Sequence, residues 1–270
     1  MTALLKLAEI PRSTFYYHLK QLNKSDKYKE IKGQIEEIYH ENKGRYGYRR
    51  VHLELKHRGY VINHKTVLKL MKILGLHCRV RMKKYKSYRG TVGKIADNLL
   101  GRDFKASKPN EKWATDITEF SLFGTKLYLS PIIDLFNGEV VSYDISEKPV
   151  FKQVIDMIEK AFSKTPDNTN LIFHSDQGWQ YQMKKYQYLL QEKGMRQSMS
   201  RKGNCLDNSV VENFFGLLKS ELLYLQEFES IEHFKRELVE YIDYYNNRRI
   251  KCKLKGLSPV QYRIQSLKVA

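Results

Sequence analysis

Three acidic residues in separate motifs carry the chemistry that this sequence can be expected to do. They are Asp116 in Trp113-Ala-Thr-Asp-Ile-Thr-Glu-Phe120, Asp176 in His174-Ser-Asp-Gln-Gly-Trp-Gln-Tyr181, and Glu212 in Glu212-Asn-Phe-Phe215. Carboxylates brought together in an otherwise basic chain suggest divalent metal ions that cut or join a phosphate backbone. Three acids suffice for two Mg²⁺ or Mn²⁺ ions about 3.5–4 Å apart. The sequence therefore predicts Asp116, Asp176 and Glu212 as catalytic metal ligands.

Each of these acids also has a structural interpretation. Asp116 could cap a turn at the end of a strand, and Asp176 with Gln177-Gly178 could form a plain turn. Glu212 could be the fourth residue of a capping box opened by Ser209. Asp134 and Glu119 are the alternatives to Asp116. The three motifs together, with polar neighbours that have obvious uses, favour the catalytic interpretation.

Polar residues beside the acids are candidate DNA contacts. Asn208, Glu212 and Lys219 fall on roughly one helix face, which would place a metal ligand next to a cation for DNA. His174 lies two residues before Asp176 and could orient a water or a 3′-hydroxyl, or be structural. We predict DNA contacts for Lys219, His174 and Asn208.

Charge is strongly segregated along the chain. Lys and Arg outnumber Asp and Glu by 25 to 9 in residues 1–105, but only by 23 to 21 in residues 106–270, and the net charge is +18. Clustered Lys and Arg give salt-dependent affinity for DNA or RNA. There is no run of about 18 apolar residues and no signal-peptide pattern, and the three cysteines are scattered, so we expect a cytoplasmic protein with reduced thiols and no membrane contact.

The N-terminal part of the chain is predicted to be helical. Residues 1–24 resemble part of a helix-turn-helix, although an ordinary helical hairpin fits as well. Residues 25–80 predict three helices, the last capped by Asn63, as in a helix-turn-helix domain whose last helix enters the major groove. Its predicted DNA-facing residues are His64, Lys65, Lys69 and Lys72. Residues 81–105 predict a basic linker in which Lys83 and Lys84 either follow a DNA backbone or are simply solvated.

The remainder, residues 106–270, alternates between strand and helix patterns. Three strands joined by Phe123-Gly124 and Asn137-Gly138 turns are followed by alternating helices and strands, and by a basic C-terminal tail. The predicted strands are 113–121, 126–134, 139–145, 170–174 and 195–199, and the predicted helices are 152–162, 183–192, one from about 208, and 231–245. This order predicts an α/β fold of the ribonuclease H type preceded by a small all-α domain.

Several of these motifs resemble a known family. They are His174-Ser-Asp-Gln-Gly178, Ser200-Arg-Lys-Gly-Asn-Cys-Leu-Asp-Asn208, Glu212-Asn-Phe-Phe215 with Lys219, Arg45-Tyr-Gly-Tyr-Arg-Arg50, Tyr244-Tyr-Asn-Asn-Arg-Arg249 and Leu257-Ser-Pro-Val-Gln-Tyr262. Together they are similar to the second-frame transposases of the insertion-sequence-three family. The resemblance covers nearly the whole chain.

The resemblance implies specific roles. Asp116, Asp176 and Glu212 would be the DDE metal ligands of a retroviral-integrase-like core, and Lys219 would contact element-end DNA. Arg49 and Arg50 would be DNA contacts in the helix-turn-helix segment. Lys251 stands where many relatives have histidine, and no catalytic role is assigned to it.

The function expected on these grounds is that of a DNA transposase or integrase. It would cleave and join strands at insertion-sequence ends, as a homo-oligomer on double-stranded element and target DNA. Family members are usually fused to an upstream-frame protein, and a bacterial, nucleoid-associated location would follow. The alternatives are a DNA-binding regulator with an inactive integrase fold, and a ribonuclease H acting on RNA–DNA hybrids.

Overall fold

The computed structural model describes residues 5, 7–9, 11–22, 26–80, 95–167, 169–202 and 204–269. Contacts divide the chain into two compact units, residues 1–77 and 78–270. Predicted features at residues 1–4, 6, 10, 23–25 and 81–94, including the contacts of Lys83 and Lys84, lie outside the described residues. Within the described part of the chain, no helix is long and apolar enough to cross a membrane.

The first unit is helical. Its described helices are α1 Arg12–Leu22, α2 Lys29–Glu41, α3 Tyr48–His57 and α4 His64–Ile73. The predicted cap of α4 is confirmed, because the Asn63 side chain accepts a hydrogen bond of 2.8 Å from the Lys65 amide. The apolar faces of α2, α3 and α4 form its core, in which Ile35, Ile38, Val51, Leu55 and Val67 are fully buried.

The second unit contains one mixed sheet and its flanking helices. The strands are β1 Lys112–Thr115, β2 Thr118–Leu122, β3 Thr125–Asp134, β4 Val140–Ser146, β5 Ile172–Ser175 and β6 Arg196–Met199. The helices are α5 Phe151–Phe162, α6 Lys184–Glu192, α7 Ser209–Leu218, α8 Ile231–Asn247 and α9 Pro259–Val269. Short 3₁₀ turns cover Trp179–Gln182, Cys205–Asn208 and Cys252–Leu254, and a π-helical turn, Lys219–Leu223, continues α7.

The sheet combines an antiparallel half with a parallel half. β3 pairs antiparallel with β4 on one side and with β1 and β2 on the other, where Trp113 faces Asp134 and Thr118 faces Leu129. β1 also pairs in parallel with β5, and β5 in parallel with β6. This is the mixed α/β arrangement that the sequence predicts.

The core of the second unit lies where α5 and α6 cover the sheet. Trp113 is fully buried with its ring 5.9 Å from that of Phe173, and Phe173 stacks at 6.1 Å on Tyr186 of α6. Val154, Met157 and Ile158 of α5 belong to the same buried cluster. Burial of several large apolar side chains, each contributing about 1.5–3 kcal/mol, fixes the strands that carry the acidic residues.

The structure differs from the sequence expectations in three places. The single strand predicted over 113–121 is interrupted at Asp116–Ile117 and forms β1 and β2. Residues 95–105, predicted as part of the linker, contact the second unit: the Leu99 amide donates to Ser198 Oγ at 2.9 Å. The predicted basic tail folds back, since Arg249 is buried and Lys251 pairs with Leu257 before α9.

Candidate active site

Asp116 and Asp176 follow the ends of two neighbouring parallel strands. Asp116 comes directly after β1 and Asp176 directly after β5. Because β1 and β5 run in parallel with Ala114 beside His174, both aspartates emerge at the same edge of the sheet. Their carboxylates are held locally: Asp116 Oδ1 accepts from the Ile117 amide at 2.7 Å, and Asp176 Oδ1 accepts from the Gly178 amide at 2.8 Å.

Glu212 reaches this edge from the first turn of α7. The residue before the helix, Asn208, is buried, and its side-chain amide donates to the Thr115 carbonyl of β1 at 3.1 Å. That bond joins the start of α7 to the strand that ends at Asp116. The prediction that Glu212 lies one turn into a helix is therefore confirmed.

The three carboxylates act on one another electrostatically. Burial raises the pKa of Asp116 well above its usual value, the charges of Asp176 and Glu212 raise it further, and the Ile117 amide and Lys219 act in the opposite direction. Burial likewise raises the pKa of Asp176. The pKa of Glu212 is raised by burial and by the charge of Asp176. Three carboxyl groups thus influence one another in this part of the fold, and Lys219 is a cation whose charge acts on Asp116.

The surroundings of the acids are apolar and aromatic. Tyr181 and Tyr186 are buried, and after burial itself the neighbouring carboxylates contribute to their raised pKa values: Asp116 and Asp176 for Tyr181, Asp176 for Tyr186. Lys219 lies half-buried with its ammonium 5.7 Å from the centre of the Phe120 ring. Desolvation lowers the pKa of Lys219, while the charges of Glu119 and Asp116 raise it. Lys219 is therefore a cation within electrostatic range of the site.

The donor set fits a hard divalent cation. Mg²⁺ and Mn²⁺ prefer carboxylate oxygens and usually keep several waters, so they need few protein ligands. A cation would also stabilise the charged form of these carboxyl groups, which burial and, for Asp116 and Glu212, neighbouring negative charge disfavour. Within the described ranges, no three His, Cys, Asp or Glu side chains converge closely enough to hold a metal ion together.

A fourth acid, Asp207, organises the turn before α7. Its buried carboxylate accepts hydrogen bonds at 2.9 Å from Arg102 Nε and at 2.9 Å from both Arg201 Nε and Nη2, and another at 3.0 Å from the Asn98 amide. The Arg201 guanidinium, assisted by Arg102, holds the pKa of Asp207 well below its usual range against the opposing effect of burial. We name Asp207 with Asn98, Arg102 and Arg201 the Asp207 clamp. It ties residues 95–105 to the segment that leads into the helix of Glu212.

Two predicted DNA contacts lie inside the protein. His174 is fully buried, and its ring nitrogens bond to Ser198 Oγ at 2.8 Å and Ser200 Oγ at 3.1 Å. Burial lowers the pKa of His174 to about 4, so the ring is neutral at physiological pH. Asn208 is buried against β1 as described. Their predicted contacts with DNA stay predictions, and the bonds observed here join β5 to β6 and the start of α7 to β1.

The predicted DNA contacts of the first unit lie at or near its surface. His64, Lys65, Lys69 and Lys72 are exposed along α4, and Arg49 is exposed on α3. Arg50 is partly buried, with its guanidinium 5.4 Å from the centre of the Tyr46 ring. Exposure leaves these cations able to reach phosphates, and their role stays a prediction.

The alternatives to Asp116 are engaged elsewhere. Asp134 is buried, accepts hydrogen bonds from the Asn110 and Phe136 amides, and pairs with Arg263 at 3.2 Å. Glu119 pairs with Lys126 at the surface. Lys251 bonds to Tyr245 Oη at 2.8 Å and to the Gly138 carbonyl, which fits the absence of a catalytic assignment for it.

Sequence reasoning missed the Asp207 clamp and Trp179, but it did place Gly178 in a possible turn with Asp176. Asp207 and Arg201 stand in the 200–208 motif, so their acidic and basic pair was visible, but the contribution of Arg102 was not. A Cβ at Gly178 would lie 2.9 Å from Asp176 Oδ1, so the turn has no room for a side chain. The spacing Asp-x-Gly was the available signal.

Three protein-family models match parts of the chain. The integrase core domain family matches residues 106–205, a second integrase core domain family matches residues 212–267, and the HTH-like domain family matches residues 27–84. The HTLV-2 integrase catalytic core domain in complex with magnesium superposes with a TM-score of 0.45 at 17% identity, over 58% of this chain and 98% of that one.

Curated relatives are similar over nearly the full chain. The putative transposase InsK for insertion sequence element IS150 of Escherichia coli K12 is 60% identical over 263 residues, which is 97% of this chain and 93% of that protein. Transposase InsF for insertion sequence IS3A, from the same bacterium, is 37% identical over 84% of this chain and 79% of its own length. The chain therefore belongs to the insertion-sequence-three family of transposases, with an HTH-like domain followed by an integrase core domain.

Proposed function

We propose that this chain is a DDE transposase that cleaves and joins DNA at insertion-sequence ends, with Asp116, Asp176 and Glu212 as its catalytic metal ligands. The observation that carries the proposal is that Asp116 and Asp176 emerge at one edge of the sheet, with Glu212 near enough for its charge to act on Asp116 and for the charge of Asp176 to act on it. Unpaired carboxylates with raised pKa values in one place are typical of functional sites rather than of structural ion pairs.

The proposed reaction is in-line phosphoryl transfer at the element end. Water attacks a phosphate, the bond to the 3′-oxygen breaks, and a free 3′-hydroxyl results. That hydroxyl then attacks a second phosphate, whose own 3′-oxygen leaves, so that one strand is joined to another. When bound, a pair of Mg²⁺ or Mn²⁺ ions would lower the pKa of the attacking hydroxyl and stabilise the leaving oxygen.

The residues of the chain orient the reaction. Asp116 and Asp176 are fixed by the ends of β1 and β5 and by bonds from the Ile117 and Gly178 amides. Glu212 is positioned through Asn208 and the Asp207 clamp. Lys219 is suited to bind a DNA phosphate beside the site, because the charge of Asp116 acts on its pKa and Lys219 is therefore near. His174 and Asn208, being buried, would act by positioning.

The proposed partner is double-stranded DNA, both at the element ends and at the target. The exposed cations of α4, with Arg49, would contact phosphates and give salt-dependent affinity. We further propose that the protein works as a homo-oligomer on DNA in the bacterial cytoplasm, and that fusion to an upstream-frame protein contributes to element-end recognition.

The test is a nicking and strand-joining assay on labelled duplexes that carry the end sequence of the flanking element. The wild type is compared with Glu212→Gln and with a matched control, Glu240→Gln, which changes an exposed glutamate on α8. The chain is used with and without the upstream frame. We expect Mg²⁺- or Mn²⁺-dependent activity that is lost in Glu212→Gln and kept in Glu240→Gln, with DNA binding unchanged. DNA binding without any metal-dependent chemistry would instead support the regulator and overturn the catalytic assignments.

A further inference from the structure

An exposed aromatic and basic surface adjoins the proposed metal site. Trp179 begins the 3₁₀ turn that follows Asp176 and is 52% exposed, and Tyr188 on α6 is 62% exposed. Lys184 and Lys185 are exposed on the first turn of α6, and Met183 is 41% exposed between the two elements. We name Trp179, Met183, Lys184, Lys185 and Tyr188 the Trp179 strip.

Packing does not account for the exposure of Trp179. Among the residues that the structure describes, its one ring contact is with Phe151, at 6.5 Å between centroids and 42° between planes. Half of a large apolar side chain therefore faces water, which is an unfavourable arrangement unless something covers it. The Phe151 ring contacts the Trp179 indole, and the exposed part of the indole is a flat surface on which another ring could stack.

The strip is tied to the position of the catalytic aspartate. Asp176 Oδ1 accepts from the amide of Gly178, the residue directly before Trp179. The Cα atoms of Asp176 and Trp179 are three residues apart, which is at most about 11 Å along the chain. A ligand bound by Trp179 would therefore lie in the same part of the protein as the proposed metal site.

The charges of the strip suit a nucleic-acid backbone. Lys184 and Lys185 have no ion-pair partner within the described part of the chain. Tyr188 lies four residues after Lys184 and three after Lys185, so all three share a helix face. Cations alternating with exposed aromatic rings characterise surfaces that bind single-stranded nucleic acid, where bases stack on the rings.

We propose that the Trp179 strip binds an unstacked stretch of DNA strand beside the scissile phosphate, with Trp179 stacking on a base and Lys184 and Lys185 contacting phosphates. The choice of an unpaired strand follows from geometry, because paired bases in a duplex have their faces covered by neighbouring bases. The proposal rests on the proposed transposase function, since it assigns the strip to the same DNA. Local strand opening at the element end would be stabilised by this stacking.

Tryptophan fluorescence provides a direct test in the full chain. The protein has two tryptophans, of which Trp113 is fully buried and Trp179 is exposed. Titration with a labelled 20-nucleotide oligothymidylate, without metal ions, is expected to quench the emission of Trp179 to saturation. A blunt duplex of the same length should bind with little quenching. In Trp179→Phe the remaining Trp113 emission reports folding and should not respond to either DNA.

Affinities measured by anisotropy of the label separate stacking from charge. We expect Trp179→Ala to weaken oligothymidylate binding by about 5- to 150-fold, and Trp179→Phe to restore most of it, because stacking contributes about 1–3 kcal/mol per base. The double variant Lys184→Glu, Lys185→Glu should bind with a weaker salt dependence. The slope of log K against log salt concentration should become shallower by about 0.7 for each phosphate contact that is lost. The matched controls Phe123→Asn, at the exposed β2–β3 turn, and Lys164→Glu, beyond α5, should leave binding unchanged.

Two results would overturn the proposal. One is binding of oligothymidylate, seen by anisotropy, without any change in Trp179 emission, which would place the DNA elsewhere on the protein. The other is an emission change that depends on protein concentration alone, which would assign the strip to a contact between two copies. Because no step of this test needs metal ions or catalysis, its outcome is independent of the nicking assay that tests the proposed function.

Discussion

Two groups of acids lie near the start of α7, and their surroundings differ. The carboxylate of Asp207 receives hydrogen bonds from two arginines, and its pKa is lowered. The pKa values of Asp116, Asp176 and Glu212 are raised, chiefly by burial and, for Asp116 and Glu212, also by the charges of neighbouring carboxylates. A carboxylate that is paired with arginines of the protein stabilises the fold. Carboxylates whose charged form is disfavoured by their surroundings are instead suited to bind an external cation.

The largest expected effect is that of Asp116→Asn, which removes one of the three carboxylate charges proposed to bind the metal ions. Metal-dependent nicking should fall by about 10³-fold, the equivalent of about 4 kcal/mol of charge stabilisation. The metal-free variant should nevertheless be more stable than the wild type at neutral pH. Because the pKa of Asp116 is raised in the folded state, the wild type loses stability as the pH rises from the unfolded-state pKa through the folded-state pKa. The variant has no charge there and avoids this loss, so its extra stability should disappear at acidic pH, where the Asp116 carboxyl of the wild type is protonated in both states.

Both consequences can be measured on the same preparations. Nicking rates are compared in Mg²⁺, and melting temperatures are compared in a chelator between pH 4 and pH 8. A metal-free variant that melts below the wild type at neutral pH would mean that Asp116 is held by favourable contacts, and the comparison with Asp207 would lose its basis.

Asp207→Asn should have the reverse effect on stability. Asp207 is a buried carboxylate bound by two arginines, and removing its charge is expected to lower the free energy of unfolding by about 2–3 kcal/mol. The effect is expected to be small for a broken buried ion pair because both arginines are partly exposed to solvent. The lowered folded-state pKa makes this contribution present above the unfolded value and lost as pH falls through the folded value. In urea unfolding experiments, the difference in the free energy of unfolding between wild type and variant should therefore become smaller below about pH 4. An unchanged free energy of unfolding would show that the clamp does not stabilise the fold.

Gly178→Ala tests how finely Asp176 is placed. The added Cβ would approach Asp176 Oδ1 to 2.9 Å, so the carboxylate must shift, and we expect about a tenfold loss of nicking with little loss of stability. The matched control is Gly216→Ala on the helix of Glu212, where a Cβ meets nothing within 4 Å. That change should keep activity and raise stability by about 0.5–1 kcal/mol. Equal activity of the two variants would argue that the position of Asp176 is not critical.

The smallest effect is expected from Glu119→Gln. Glu119 is exposed and pairs with Lys126 at 3.2 Å, and isolated surface ion pairs contribute little to stability. We expect no change in the melting temperature or in metal-dependent nicking. A loss of nicking as large as that of Asp116→Asn would transfer the proposed ligand role to Glu119.

Local patterns explain how much of this site could be predicted from the sequence. Asp176 follows a short apolar strand, Glu212 opens an apolar helix and Asn63 caps another, and each of these features is encoded within a few residues. The interruption after β1 was missed because apolar residues continue on both sides of Asp116. Helix α9 was missed despite its start signal: Ser258 and Gln261 form a reciprocal capping pair directly around Pro259.

The Asp207 clamp shows what local patterns cannot supply. Arg102 lies more than one hundred residues before Asp207, in a segment whose basic composition predicts a solvated linker. Only the folded sheet brings the two together, since Leu99 is anchored on Ser198 of β6. Long-range partners of this kind have no signature in periodicity or spacing.

The parallel pairing of β1 with β5 also has a consequence for biosynthesis. The strands are separated by more than fifty residues, and Glu212 follows later still, so the loop between them must close before any two of the acids meet. A chain emerging from the ribosome carries Asp116 long before it carries Glu212. A nascent or truncated protein thus carries the cations proposed to bind DNA before the three proposed metal ligands can come together, which requires that the last third of the chain has been translated and folded.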